Sequence, residues 1–243
     1  MRLLSYNIHK GVGGSDRRYR LSRILDVLRA EEADLVCLQE VDFNVRRSNF
    51  DNQPALLADG LRAGASLYQL NVPHKDGGYG NLVLSRWPVR QQHHLSLRLR
   101  RRKPRGAQLV VVETPQGPLH LVNWHLGLAE RERRWQAKHL LEHPRFAENA
   151  GLPTLVAGDS NDWRNTLAKQ RFAAHQFEQV TAPVREYRSF PAFLPLASLD
   201  KVFRRGPVRV ERAGVVRHRL ARKASDHLPV VVDFTLGEQA GPG

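Results

Sequence analysis

Eight polar residues share one habit in this sequence: each stands at the end of an apolar run. Asn7 ends the first strand-like stretch, Glu40 ends Leu35–Gln39, and His125 ends Leu119–Trp124. Asp159 and Asn161 close Thr154–Gly158, Asp200 opens a run of its own, and Asp226 and His227 precede the last one. Strand ends beside loops are where side chains from distant parts of a chain converge on one mouth. The set is rich in oxygen. It holds carboxylates enough for a hard divalent cation such as Mg²⁺ or Mn²⁺, with imidazoles left over for moving protons. Phosphodiester hydrolysis calls for these functions together: charge neutralisation on the non-bridging oxygens, an activated water, and help for the leaving group.

The elements that must position these residues follow from periodicity. Leu35–Leu38, Asn81–Ser85, Gln108–Glu113, Leu119–Trp124, Thr154–Ala157, Leu199–Phe203 and Pro229–Phe234 read as strands. Leu21, Ile24, Leu25 and Leu28 form a helical stripe, with Ser15 or Asp16 near its N-cap. Ala129–Leu141 predicts a second helix, ended by His143-Pro144, and a third is expected after Asp162. Many strands with few helices suit two stacked sheets with helices outside. No repeat or low-complexity linker divides the chain. One catalytic domain over residues 1–236 is expected, with 237–243 as a frayed tail.

Composition narrows the partners. The chain has 243 residues, and its 38 Lys and Arg outnumber 24 Asp and Glu for a net charge of +14, which points to an anionic partner. Nucleic acid, an acidic membrane surface and phosphorylated small molecules all qualify. Two basic clusters stand out, Arg98–Arg105 and Arg204–Lys223; the first contains Pro104-Arg105-Gly106 and reads as a hairpin tip. The single cysteine, Cys37, excludes an intrachain disulfide and a cysteine-based zinc cluster. No apolar run approaches the roughly 20 residues of a membrane span, and no signal-peptide pattern follows Met1. A cytoplasmic monomer is expected.

Seven motifs, in order along almost the whole chain, resemble the endonuclease/exonuclease/phosphatase superfamily. They are Ser5-Tyr6-Asn7-Ile8, Leu38-Gln39-Glu40-Val41, Gly80 to Arg86, Asn123-Trp124-His125-Leu126, Gly158 to Asp162, Leu199 to Phe203 and Ser225 to Val230. The likeness is greatest to small bacterial members with Asn-Ile-His-Lys-Gly near the start and Gly-Asp-x-Asn-Asp-Trp later, here Asn7–Gly11 and Gly158–Trp163. The resemblance implies a four-layer α/β sandwich, two mixed β-sheets packed face to face with flanking helices.

It also implies roles. Glu40 would hold the divalent metal with Asn7 beside it, and Asp226 would complete a second metal position. Asp159 would orient or deprotonate the attacking water, with Asn161 fixing that geometry. His227, oriented by Asp200, would be general base or phosphate-side acid. His125 would contact the scissile phosphate, and Asn81 and His9 would touch substrate, with Lys10 next to His9. Which of His227 and Asp159 takes the water's proton stays open at this level. Two positions depart from the family: Ser160 stands where phenylalanine is frequent, and Trp124 where a small residue is usual. No acidic partner for His125 stands out in the sequence. The likeness implies a nuclease acting on DNA or RNA; the alternative is a phospholipid or phosphoinositide phosphodiesterase or phosphatase at an anionic membrane surface. An inactive binding protein that keeps the fold is disfavoured, because every acid and histidine of the set is present.

Overall fold

Alternation along the strands decides which residue faces which layer. The computed structural model describes residues 1–237, and residues 238–243 of the expected tail lie outside the described residues. In chain order the strands are β1 (Arg2–Asn7), β2 (Leu35–Phe43), β3 (Ala65–Pro73), β4 (Gly78–Ser85), β5 (Val89–Ser96) and β6 (Gly106–Thr114). They continue with β7 (Gly117–His125), β8 (Thr154–Asp159), β9 (Glu178–Gln179), β10 (Asp200–Arg205), β11 (Val208–Val215) and β12 (Val230–Leu236). The helices are α1 (Leu21–Glu31), α2 (Gln53–Leu61), α3 (Glu130–Leu141), α4 (Pro144–Ala147) and α5 (Arg219–Ala224).

Two six-stranded sheets result, ordered β11-β12-β1-β2-β4-β3 and β5-β6-β7-β8-β10-β9. Each is mixed. The β1–β2 and β7–β8 pairs are parallel and the others antiparallel. Leu3, Leu35, Cys37, Leu121, Leu155 and Val202 meet in a core between the sheets. On the far face of the first sheet, Leu4, Tyr6, Val36 and Leu38 pack against Ile24 and Leu28 of α1 and Ala221 of α5. On the far face of the second, Val122 and Trp124 pack against Ala137 and Leu140 of α3 and Phe146 of α4. That is the four-layer α/β sandwich expected from the sequence.

The eight inner strands are those legible in the sequence. The four it did not reveal, β3, β5, β9 and β11, are the four sheet edges. Their residues alternate with or are dominated by polar ones, as in Val89-Arg-Gln-Gln-His-His, because an edge strand has one flank and much of one face in water. The expected N-cap of α1 also differs. Arg20 holds that position without a side-chain cap, while Asp16 pairs with Arg23 at 2.7 Å. The third helix after Asp162 is a short π-helical segment, Ala168–Phe172.

Trp124 and Gly158 explain each other. They are register partners in the parallel β7–β8 pair, and a Cβ on Gly158 would lie 2.0 Å from the Trp124 carbonyl oxygen. The large indole is buried against Phe172 and Phe203, so its motif position serves packing. Ser160 likewise bonds locally, its hydroxyl donating to the Leu199 carbonyl at 2.7 Å.

Candidate active site

The facing sheets are apolar for most of their length and turn polar at one end. β1 runs Leu3, Ser5, Asn7 on its inner face; β7 runs Leu119, Leu121, Asn123, His125; β8 runs Leu155, Ala157, Asp159. Register lines up the polar ends: His125 pairs with Asp159, and Asp159 with Asp200. The second sheet therefore presents His125, Asp159 and Asp200 in one row. The first sheet supplies Asn7 and Glu40. The turn between α5 and β12 supplies Asp226 and His227, and the Ser225 hydroxyl anchors that turn by donating to the Asn7 carbonyl at 2.7 Å.

Glu40 reaches the cleft through a β-bulge. The sequence ended this strand at Gln39, but β2 continues to Phe43, and its pairing with β4 slips between Leu38 and Val41. By simple alternation Glu40 would share the parity of Val36 and Leu38 and face the helices. The bulge shifts that parity: Val41, not Glu40, joins their cluster. Glu40 adopts φ +56°, the left-handed region that is costly for a residue with a Cβ. The break leaves the carbonyls of Leu38 and Leu82 in need of donors. The Asn123 amide faces both, at 3.0 and 3.1 Å, and accepts from Gln39 at 2.8 Å. Asn123→Ala would orphan these buried groups; a loss of roughly 2–4 kcal/mol of stability is expected in urea unfolding. A loss under 1 kcal/mol would show that the amide does not support the bulge.

Asp200, His227 and Asp159 form a line. Asp200 Oδ2 receives the Ser189 hydroxyl at 2.5 Å and joins His227 Nδ1 at 2.8 Å. His227 Nε2 then faces Asp159 Oδ2 at 3.8 Å. Burial works against the imidazolium, but the Asp200 and Asp159 carboxylates outweigh it and lift the ring's pKa to about 10. Asp159 moves up as well, to about 6. Burial is the main cause and the neighbouring Asp200 charge adds to it, against the opposing pull of His227 and the Asn7 amide. Asp159 is held on both oxygens. Oδ2 accepts from Asn7 Nδ2 at 3.0 Å, and Oδ1 from the Asn161 backbone N–H at 2.9 Å. Near neutral pH the pair is thus carboxylate and imidazolium.

His125 has a basic partner on one ring nitrogen and an acidic neighbour on the other. Arg105 Nη1 lies 3.1 Å from His125 Nδ1. A guanidinium only donates, so Nδ1 must accept and the ring's proton sits on Nε2. That nitrogen points at Asp159 Oδ2, 3.4 Å away. Burial, then the Arg105 charge, hold the His125 pKa well below the usual imidazole value. His125 is a neutral hydrogen-bond donor.

The cleft has a volume of about 230 Å³ and is lined by Asn7, His9, Glu40, His125, Asp159, Asn161, Asp226 and His227, together with Lys10, Lys103, Arg105 and Leu128. Asn161 takes φ +49°, and its amide donates to the Leu126 carbonyl at 3.0 Å. The His9 ring donates from Nδ1 to the Val12 carbonyl at 3.0 Å. Two expected site residues are placed differently from the rest. Asp200 is fully buried behind His227 and meets the cleft only through that ring. Asn81 is also fully buried; its amide donates to the Gly106 carbonyl at 3.0 Å, so it supports the residue after Arg105 and does not line the cleft. Lys103 and Arg105 belong to the basic hairpin whose charge was legible but whose direction was not. Ser189 had no sequence signal.

The donor set fits a hard cation. Glu40 and Asp226 line one cleft with Asn7, whose Oδ1 also accepts the His9 N–H at 3.0 Å, and the Lys10 ammonium already rests against Glu40 Oε2. Burial opposes the Glu40 charge, yet the Lys10 ammonium resting against it is the main cause that holds its carboxyl well below the usual range. Asp159, Asp200 and His227 form a second group, with one ligand atom each within 4.8 Å of one another. There the ring nitrogen nearest Asp200 is already engaged, which suits proton handling better than coordination.

A sandwich with this cleft is that of a phosphoester hydrolase. The chain belongs to the endonuclease/exonuclease/phosphatase family, whose model matches residues 4–227. It is similar to the uncharacterized protein YbhP of Escherichia coli K12, 30% identical over 246 residues, covering 97% of this chain and 96% of that one. The fold is shared with an endonuclease/exonuclease/phosphatase from Beutenbergia cavernae, at TM-score 0.81 and 24% identity over 98% of this chain and 72% of that one. It is also shared with a mannosyl-6-phosphatase from Bacteroides thetaiotaomicron, at TM-score 0.77 and 18% identity over 97% of this chain and 100% of that one.

Proposed function

We propose that the protein hydrolyses phosphodiesters using a divalent cation, Mg²⁺ or Mn²⁺, held by Glu40 with Asn7 and Asp226 beside it. The observation that carries this reading is the Asp200–His227–Asp159 line opening onto the same cleft as Glu40. The cation, when bound, supplies charge neutralisation at the phosphate and a lowered pKa for water. The chain's own residues do the rest. Asp159, ionised above about pH 6, takes the proton of the attacking water. Asn7 and Asn161 pin its two oxygens. His227, positively charged, donates to the phosphate, and Asp200 keeps its ring in register. His125 donates from Nε2 to a phosphate oxygen, and Lys10, Lys103 and Arg105 add positive charge around it.

In this reading Arg105 is a positioning residue for His125. Arg105→Met is expected to lower kcat roughly 10–100-fold, the usual cost of losing a group that orients a reacting one. The ¹⁵N resonances of the His125 ring should shift from a fixed Nε2–H tautomer to a mixture. An unchanged tautomer would remove Arg105 from the mechanism.

Nucleic acid is one substrate class to test. It is supported by the basic loop between β5 and β6, where Arg100, Arg101 and Arg102 face Arg131 and Trp135 across a wide cavity. Each phosphate neutralised should contribute about −0.9 to the log–log salt slope of duplex binding. The phospholipid reading is supported by Leu128, an exposed apolar residue in the lining of the cleft. A panel of plasmid DNA, single-stranded RNA, cardiolipin, phosphoinositides, a sugar monophosphate and a chromogenic phosphodiester, with and without chelator, separates them. Turnover that survives chelation would refute the cation-dependent reading.

A further inference from the structure

Residues 190–197 form a ridge that the chemistry above does not use. Phe190 and Ala197 pair across its base, and the Ala192 N–H donates to the Asp226 carbonyl at 2.7 Å. The ridge is thus tied to the turn that carries Asp226 and His227. At its tip Phe193, Leu194 and Leu196 are 62%, 58% and 61% exposed, and Trp163 beside it is 60% exposed. Trp163 lies edge-on to Phe190 with ring centres 5.9 Å apart, and Phe190 lies 4.9 Å from the His227 ring. Large apolar side chains gathered this way mark a surface made to be covered.

Charge indicates by what. Arg222 donates to the Phe193 carbonyl at 3.2 Å and to the Arg217 carbonyl at 3.0 Å; Arg217 in turn donates to the Glu186 carbonyl at 2.8 Å. These contacts bring α5 and the 185–188 segment against the ridge, with Arg188 and Arg219 exposed. An apolar tip bordered by arginines suits the headgroup zone of an anionic bilayer, where side chains enter the acyl boundary and guanidiniums stay with phosphates. A nucleobase is served less well. Leu194 and Leu196 offer no π face and no hydrogen bond, and neither lines the catalytic cleft.

We infer that the 190–197 ridge with Trp163 docks the protein on an anionic lipid bilayer and turns the Asp226–His227 edge of the cleft toward lipid phosphodiesters. The substrate half of this inference rests on the phosphodiesterase reading; the docking half does not. Flotation with vesicles of phosphatidylcholine alone or mixed with phosphatidylglycerol tests it without metal or turnover. Association is expected with the anionic vesicles, together with a blue shift in fluorescence that Trp163→Phe removes.

Phe193→Ser/Leu194→Ser/Leu196→Ser should weaken partitioning at least about tenfold, and Arg188→Ser/Arg219→Ser roughly fivefold per arginine. Unchanged melting temperatures show that the variants fold. Equal partitioning to both vesicle types, or partitioning untouched by the triple substitution, overturns the inference. A single-stranded oligonucleotide that quenches Trp163 where vesicles do not would overturn it too and make the ridge a base platform. Docking that holds while the protein, saturated with Mg²⁺ or Mn²⁺, hydrolyses no phosphodiester would refute the phosphodiesterase reading alone.

Discussion

His227→Ala is expected to lower kcat/KM for a chromogenic phosphodiester by about 10³–10⁴-fold, the scale of losing a positioned proton donor together with a charge in a buried site. The ring bridges the Asp200 and Asp159 side chains, so the effects within the line should not add. Asp200→Ala with His227→Ala should cost little more than His227→Ala alone. The pH profile supplies an independent check. Below about pH 6 Asp159 holds a proton and cannot accept another, so kcat/KM should rise through that region. As pH approaches about 10, His227 loses its proton and its donor function, so kcat/KM should fall. Asp200→Asn removes the carboxylate that most lifts the ring, and the alkaline limb should move to lower pH. A limb that stays in place would mean that His227 is not the group titrating there.

Glu40→Gln carries the second large effect. The amide keeps the shape of the side chain but removes the charge that a hard cation needs. Activity at limiting Mg²⁺ or Mn²⁺ should drop by about 10³-fold, and calorimetric titration should show a matching loss of metal affinity. Excess metal should restore part of the activity, whereas it should restore none to His227→Ala. That difference separates a ligand from a proton-handling group. Equal metal affinity in Glu40→Gln and the native protein would move the cation elsewhere, and the Asp159, Asp200 and His227 group is where the ligand search would go next.

Most of the site was legible because chemistry of this kind needs particular residue types at strand ends. His125, Asp159 and Asp200 do end or open their strands, and register then sets them side by side. Residues whose role depends on direction were harder to read. Arg105 looked like one charge in a basic run, yet it alone of that run is buried against His125. Asn81 sat within a family motif like the others, and only its burial behind Gly106 separates it from the cleft.

The sequence by itself determined the eight inner strands, the family and the inventory of acids, amides and imidazoles, because apolar periodicity and residue chemistry are local properties. The tertiary structure decided the rest. Edge strands exist by pairing with a neighbour and not by their own apolar content. Glu40 faces the cleft because a bulge reverses strand parity, and a distant amide, Asn123, satisfies the carbonyls that the bulge leaves open. The His227 pKa is raised because the Asp200 and Asp159 carboxylates outweigh its burial, and that of His125 is lowered because burial and the Arg105 guanidinium act together on it. Two identical side chains are thus pushed in opposite directions, by burial and by charges that only the fold brings beside them.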